Sequence, residues 1–190
     1  MKKLTLLFAF AGLAFFANAQ STTSATTSTS IYKAFKVDFD FGYATPSTGT
    51  AKAGVNFAFE PHYRLSDDFA LGLRLEGAGF LYQTGGSSGS TSASVLFSYC
   101  LTGDYYLSNS GFRPFIGAGL GFFQQQTVNG NSSSGSNSVT LVPGSTNFGF
   151  FPRVGFEAGH LRLSASYDIV GNNSSYAAFT IGFFFGGGKK

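Results

Sequence analysis

The stretch Phe35-Lys36-Val37-Asp38-Phe39-Asp40-Phe41-Gly42-Tyr43 alternates without a break. Its odd positions are large and apolar, and its even positions are charged or small. A strand sends successive side chains to opposite faces, so this segment has one apolar face and one charged face. In a soluble protein the apolar face packs inward. In a membrane barrel it faces lipid, and the polar face lines the lumen.

Working outward, the same alternation predicts eight strands: 34–45, 53–64, 69–82, 92–107, 112–125, 146–158, 160–169 and 176–186. The charges decide whether the pattern is real. Lys36, Asp38 and Asp40 share a parity, as do Glu60 with Arg64, Arg74 with Glu76, Arg153 with Glu157, and Arg162 with Asp168. Those coincidences have about one chance in 64 of arising on a random two-residue period. Each time, the charged parity is opposite to the bulky apolar one: Leu71, Leu73 and Leu75 oppose Arg74 and Glu76, and Phe97, Tyr99 and Leu101 oppose Ser98, Cys100 and Thr102.

Composition points the same way. The chain holds 24 Phe, 9 Tyr, 26 Gly and no Trp, and only 11% of it is charged. An ordinary globular domain carries roughly 25% charged residues. A soluble sandwich needs a charged exterior that this chain does not supply. The connections alternate in length as well. Short turns are expected at 65–68, 108–111 and around Gly159, and longer loops at 46–52, 83–91, 126–145 and 170–175. An even number of antiparallel strands with alternating short and long connections is the outer-membrane barrel plan. It puts both termini and the short turns in the periplasm. The expected fold is therefore all-β, a transmembrane eight-stranded antiparallel up-and-down β-barrel.

The N-terminus agrees with export. Lys2 and Lys3 precede an apolar run from Leu4 to Phe16, and Ala17-Asn18-Ala19 is a small-x-small cleavage site. These are the parts of a secretory signal peptide in order. The run is too short for a spanning helix, which needs roughly 20 residues. The domain plan is then a signal peptide over 1–19, a Ser/Thr-rich flexible leader over 20–33, the barrel over 34–186 and a short tail over 187–190. Losing Lys2 and Lys3 takes the 12 basic residues to 10 against 9 acidic, so the net charge falls from +3 to +1. The basic balance belongs to the precursor and gives no argument for nucleic acid. One cysteine, Cys100, excludes an internal disulfide.

An eight-stranded barrel is narrow enough for side chains to fill it. The parity sends Lys36, Asp38, Asp40, Glu60, Arg64, Arg74, Glu76, Asp104, Arg113, Arg153, Glu157, Arg162 and Asp168 into that space. A hydrated ion-pair network is expected there, with Arg74 and Glu76 partnered by Glu60, Arg153 and Glu157. The lumen is expected to be plugged, not open. Tyr63, Phe69, Tyr105 and Phe112 near the short turns, and Tyr43, Phe122, Phe150 and Tyr167 near the long loops, are candidates for two interfacial aromatic girdles.

No residues assemble a catalytic or metal centre. His62 and His160 are the only histidines. His62 reads as a lumenal hydrogen-bonding residue and His160 as a turn residue. Ser164 and Ser166 near Asp168 read as filler of the lumenal network. A lipid-modifying barrel would need a His, a Ser and an acid on the lipid-facing surface, which carries no His–acid pair. Gly117-Ala118-Gly119-Leu120-Gly121 has no following helix and so cannot cradle a phosphate in the P-loop manner. From Pro114 to Pro152 no side chain is ionisable, and Lys52 is the lone charge of the long loops, so their electrostatic capture of polyanions is not expected.

The stretches Arg113-Pro114-Phe115-Ile116-Gly117-Ala118-Gly119-Leu120-Gly121 and Pro152-Arg153-Val154-Gly155-Phe156-Glu157, with the aromatic C-terminal strand, resemble the OmpA/OmpX-like outer membrane β-barrel superfamily. The resemblance covers Ala34 to the end. It implies roles from envelope stability and adhesion to small-molecule passage and, in some members, lipid A modification. It implies outer-membrane lipids and the barrel-assembly machinery as partners, a monomeric barrel and no cofactor. The chain departs from the pattern in ending Gly186-Gly187-Gly188-Lys189-Lys190, so Phe183 or Phe185 would serve as the terminal aromatic of assembly. The favoured role is structural or surface-interacting and non-enzymatic. A narrow channel or carrier is the alternative, and a lipid-modifying enzyme a more distant one.

Overall fold

The computed structural model describes residues 30–47, 51–84, 90–133, 136–172 and 174–190. The segment read as a signal peptide and most of that read as a leader lie outside them. Eight strands, β1 (Phe35–Pro46), β2 (Ala51–Arg64), β3 (Phe69–Thr84), β4 (Ser90–Tyr106), β5 (Phe112–Ser133), β6 (Ser136–Ala158), β7 (Leu161–Val170) and β8 (Tyr176–Gly186), follow one another around a closed barrel. Each pairs antiparallel with its sequence neighbours, and β1 closes on β8. Closure leaves no free sheet edge within the barrel wall, which is what lets a strand protein sit in lipid.

The two faces differ as the alternation requires. Phe41, Tyr43, Phe57, Leu73, Leu101, Leu120, Val154, Phe179 and Ile181 point outward and are exposed. An apolar surface of that extent does not belong in water; it is the outward band of a barrel surrounded by hydrocarbon. The opposite parity is buried. Tyr43, Tyr63, Tyr105, Phe112, Phe122 and Phe150 are likewise exposed on the outer face.

One connection differs from the sequence reading. The long loop expected over 126–145 is largely strand: β5 and β6 run on as a ladder from Gln126↔Pro143 to Ser133↔Ser136. At 22 and 23 residues these strands are about twice the 9–11 that cross a bilayer. The register slips between Gln124 and Gln126. Beyond that irregularity β6 continues past its last pair with β7, Gly149↔Val170. The Ser, Asn and Gly content reads as loop, but Thr127, Val128, Val139, Thr140 and Val142 are β-branched, and each added rung pairs backbone groups that a loop would leave to solvent.

Glycine makes room for the lumenal aromatics. Gly119 faces Phe151 across the β5–β6 ladder, and a Cβ added there would lie 2.4 Å from Phe151 Cζ. Gly155 faces Phe115, whose ring would be 2.6 Å from such a Cβ. Gly119→Val should therefore overpack the lumen and destabilise the barrel by about 1–3 kcal/mol. Urea titration in detergent should show this, and adding Phe151→Ala should return part of the loss.

Candidate functional site

The lumen gathers the chain's charge. Lys36, Arg64, Arg74, Arg113, Arg153 and Arg162 are buried there with Asp38, Asp40, Glu60, Glu76, Asp104, Glu157 and Asp168, each with 6% exposure or less. They come from seven of the eight strands, β1 to β7, because a period of two delivers every other residue of each strand to the same interior.

The structure divides these groups differently from the expected pairing. Arg153 of β6 reaches across to β2. Its Nη1 donates to Glu60 Oε2 at 2.7 Å and its Nη2 to Oε1 at 2.8 Å, while its Nε donates to Asp104 Oδ1 at 2.7 Å. Arg162 donates to Asp104 Oδ2 and to Glu157 Oε1, both at 2.8 Å. Glu157 also pairs with Lys36 and accepts from Tyr106 Oη at 2.8 Å. Lys36 lies 3.0 Å from Asp38. Arg74 stands apart from this group: it pairs with Glu76 and lies 3.7 Å from Asp168, and Tyr176 Oη donates to Glu76 Oε1 at 2.8 Å. The expected contact of Arg74 and Glu76 with Glu60, Arg153 and Glu157 is thus replaced by two clusters. The β2–β3 register sets Glu60 across from Arg74, but the Glu60 oxygens are taken by Arg153 and Thr102, and Arg74 turns to Glu76 and Asp168.

His62 Nε2 sits 2.9 Å from Asp38 Oδ2 and 3.3 Å from Glu60 Oε1, inside the lower cluster. Asp40 forms no ion pair within 4.0 Å among the described residues, and Arg113 forms none either. His160 lies at the turn with Nδ1 2.9 Å from the Phe184 carbonyl oxygen. Ser164 Oγ is 2.7 Å from Thr180 Oγ1, and Ser166 donates to Asp168 Oδ2 at 2.9 Å. Cys100 is buried as a free thiol.

Sequence reasoning passed over the aromatic groups that bracket the charges. On the long-loop side Phe80, Leu96, Phe123, Phe151, Val170 and Tyr176 form a buried cluster. Tyr106 and Phe115 form another at the short-turn side. Cations stack on both: Arg74 is 4.6 Å from the Phe151 ring centre, and Arg162 is 4.0 Å from that of Phe115. Their parity is the signal that could have found them, since Phe115, Phe123 and Phe151 share the face of Arg113 and Arg153.

The short-turn mouth is closed by the two ends of the described chain. Tyr32 bridges to Lys189, Lys33 N–H donates to the Gly188 carbonyl, and Lys190 N–H donates to that of Ile31, both at 2.9 Å. Asp67, in the turn after β2, accepts the N–H groups of Ile31 at 3.0 Å and Tyr32 at 3.2 Å. The Ile31 N–H bond chiefly holds the Asp67 carboxyl below its ordinary range. Tyr32 is buried, and its hydroxyl donates to the Asn109 and Ser110 carbonyls at 3.0 and 3.2 Å. Residues 30–33, the end of the segment read as a flexible leader, are thus pinned to the barrel.

No protein-family model and no curated protein matches the chain. Solved structures do. The Neisserial surface protein A, NspA, is similar with 20% identity and a TM-score of 0.52, over 80% of this chain and 96% of that one. The outer membrane protein OprG of Pseudomonas aeruginosa is similar with 14% identity and a TM-score of 0.52, over 83% of this chain and 98% of that one. The fold is that of the small eight-stranded outer-membrane β-barrels.

Proposed function

We propose that the chain is an integral barrel protein of the bacterial outer membrane, with a plugged, ion-paired lumen and a non-enzymatic structural or surface-interacting role. One observation carries the reading: a chain of side-chain contacts runs through the lumen from one mouth to the other. Arg113 stacks between Tyr32 and Tyr106, Tyr106 bonds Glu157, and Glu157 bonds Arg162. Arg162 shares Asp104 with Arg153, which lies 5.9 Å from the Phe151 ring centre. Arg74 lies 4.6 Å from the same ring centre and pairs with Glu76, which bonds Tyr176, and Tyr176 packs edge-on to Phe80 at 5.6 Å.

A lumen crossed this way holds charges that neutralise one another in place and leaves no continuous file for a solute. The outward band supplies the membrane anchor, and the extended β5–β6 hairpin supplies the surface presented beyond it. Planar-bilayer recording of the purified barrel tests the reading. No unitary conductance steps are expected at moderate voltage. Stable steps that vanish when Arg74 or Glu76 is replaced would overturn the plugged lumen in favour of a channel.

A further inference from the structure

We infer that the short-turn mouth holds a binding site for a phosphate group, built on Arg113, Arg64 and Lys189. Arg113 is 4% exposed, yet no carboxylate of the described residues pairs with it. Its Nε donates to the Ser108 carbonyl at 3.2 Å, and its Nη2 to the Asp67 carbonyl at 2.5 Å and to Asn109 Oδ1 at 3.4 Å. These acceptors are neutral. Its Nη1 is buried with no acceptor from the protein. Tyr32 and Tyr106 clamp the guanidinium on its two faces at 3.9 and 4.1 Å, so its edge is fixed in direction.

Arg64 lies alongside. Its Nη1 bonds the Gly187 carbonyl, its Nη2 is 3.5 Å from Glu157 Oε2, and its Nε is buried without an acceptor. Glu157 cannot neutralise both arginines: Lys36, Arg162 and Tyr106 share its Oε1, and its Oε2 lies 3.5 Å from Arg64 and pairs with no group of Arg113. A cavity of about 190 Å³ opens at this mouth, and Arg64, Arg113, Glu157, Gly187 and Lys189 line it. The lining thus holds three cationic residues and one carboxylate, a local excess of positive charge.

The geometry selects the anion. A carboxylate is best met by two parallel N–H groups of one guanidinium. The Nε and Nη2 of Arg113 are committed to carbonyls, which removes that fork. What is left is Nη1 of Arg113, Nε of Arg64 and the Lys189 side chain in the cavity wall, donors from three different residues. A tetrahedral oxyanion with several accepting oxygens suits such an arrangement, and its charge offsets the local excess of cations. The phosphate can come from free inorganic phosphate or from a lipid headgroup.

The chain has no Trp, and its nine tyrosines emit together, so the part of any emission change lost in a Tyr32→Phe variant is the part that reports on the site. Mature protein in dodecyl maltoside micelles, which carry no phosphate, is titrated with inorganic phosphate at constant ionic strength, and a second preparation is titrated with phosphatidylglycerol. A saturable emission change with inorganic phosphate assigns the site to the free ion. A change on adding phosphatidylglycerol, without a response to the free ion, assigns it to the headgroup. Either is expected to weaken about tenfold in Arg113→Gln and in Lys189→Gln, since a charge-assisted hydrogen bond is lost each time. Lys189 is exposed and outside the barrel wall, so Lys189→Gln keeps the test decisive if Arg113→Gln does not fold. Absence of both responses, or responses unchanged in the folded variants, overturns the site while leaving the barrel reading intact.

Discussion

Leu73→Arg is expected to cost about 2–4 kcal/mol of folding free energy in lipid, the range for a cation placed on the lipid face near the bilayer midplane. Leu73 lies in β3 opposite Leu101 on β4, and the two side chains are 48% and 56% exposed on the outer face. In a barrel surrounded by hydrocarbon, that exposure is contact with acyl chains, and a guanidinium there must be dehydrated or must drag water and headgroups inward. Around a soluble protein the same substitution would be harmless, because surface changes of that kind usually fall within about 0.5 kcal/mol. The test is equilibrium unfolding of the reconstituted protein, read by heat-modifiable migration and far-UV circular dichroism. Wild-type stability in lipid for Leu73→Arg would sink the assignment of the faces. The neighbouring change, Gly72→Arg, separates burial from charge. A Cβ at Gly72 would lie 2.6 Å from Thr102 Oγ1 and 2.9 Å from Glu60 Oε1, so its failure would be steric and internal.

The parity that motivates Leu73→Arg also marks the limit of what a sequence of this kind discloses. Alternation is local: Lys36, Asp38 and Asp40 fall on one side because two residues make one repeat, and no partner strand is needed to see it. Strand number and order follow, since most alternating segments are followed within two residues by Gly, Ser or Pro. Pairing inside the lumen is not local. Arg153 and Glu60 are 93 residues apart and meet across the lumen, whereas Arg74, in register beside Glu60 on the next strand, turns instead to Glu76 and Asp168. The aromatics mislead for another reason. With 24 Phe in the chain, composition assigns the rings to lipid, although Phe115, Phe123 and Phe151 occupy the charged parity and lie inside. The β5–β6 extension was masked by its Ser, Asn and Gly content, because a ladder is stabilised by cross-strand hydrogen bonds that composition does not record.

Arg153→Met is expected to destabilise the barrel by about 3–5 kcal/mol, the range for breaking a buried ion pair by removing one partner. Arg153 makes three charge-assisted bonds, two to Glu60 and one to Asp104, and all three residues are buried. Methionine fills much of the volume, so the loss reflects charge more than a cavity. Two carboxylates would lose their strongest donor. Glu60 would keep the Thr102 hydroxyl and His62, and Asp104 would keep Arg162. Removing the carboxylate as well should therefore help. The double variant Arg153→Met with Glu60→Gln should be more stable than Arg153→Met alone, even though Glu60→Gln by itself destabilises. That sign of coupling distinguishes a pair whose members compensate one another's desolvation from two independently useful contacts, for which the losses would add. A double-mutant cycle by urea unfolding in detergent micelles measures it. Additive losses within about 0.5 kcal/mol would show that water screens these charges, and the lumen would then be a wet passage instead of a packed electrostatic core.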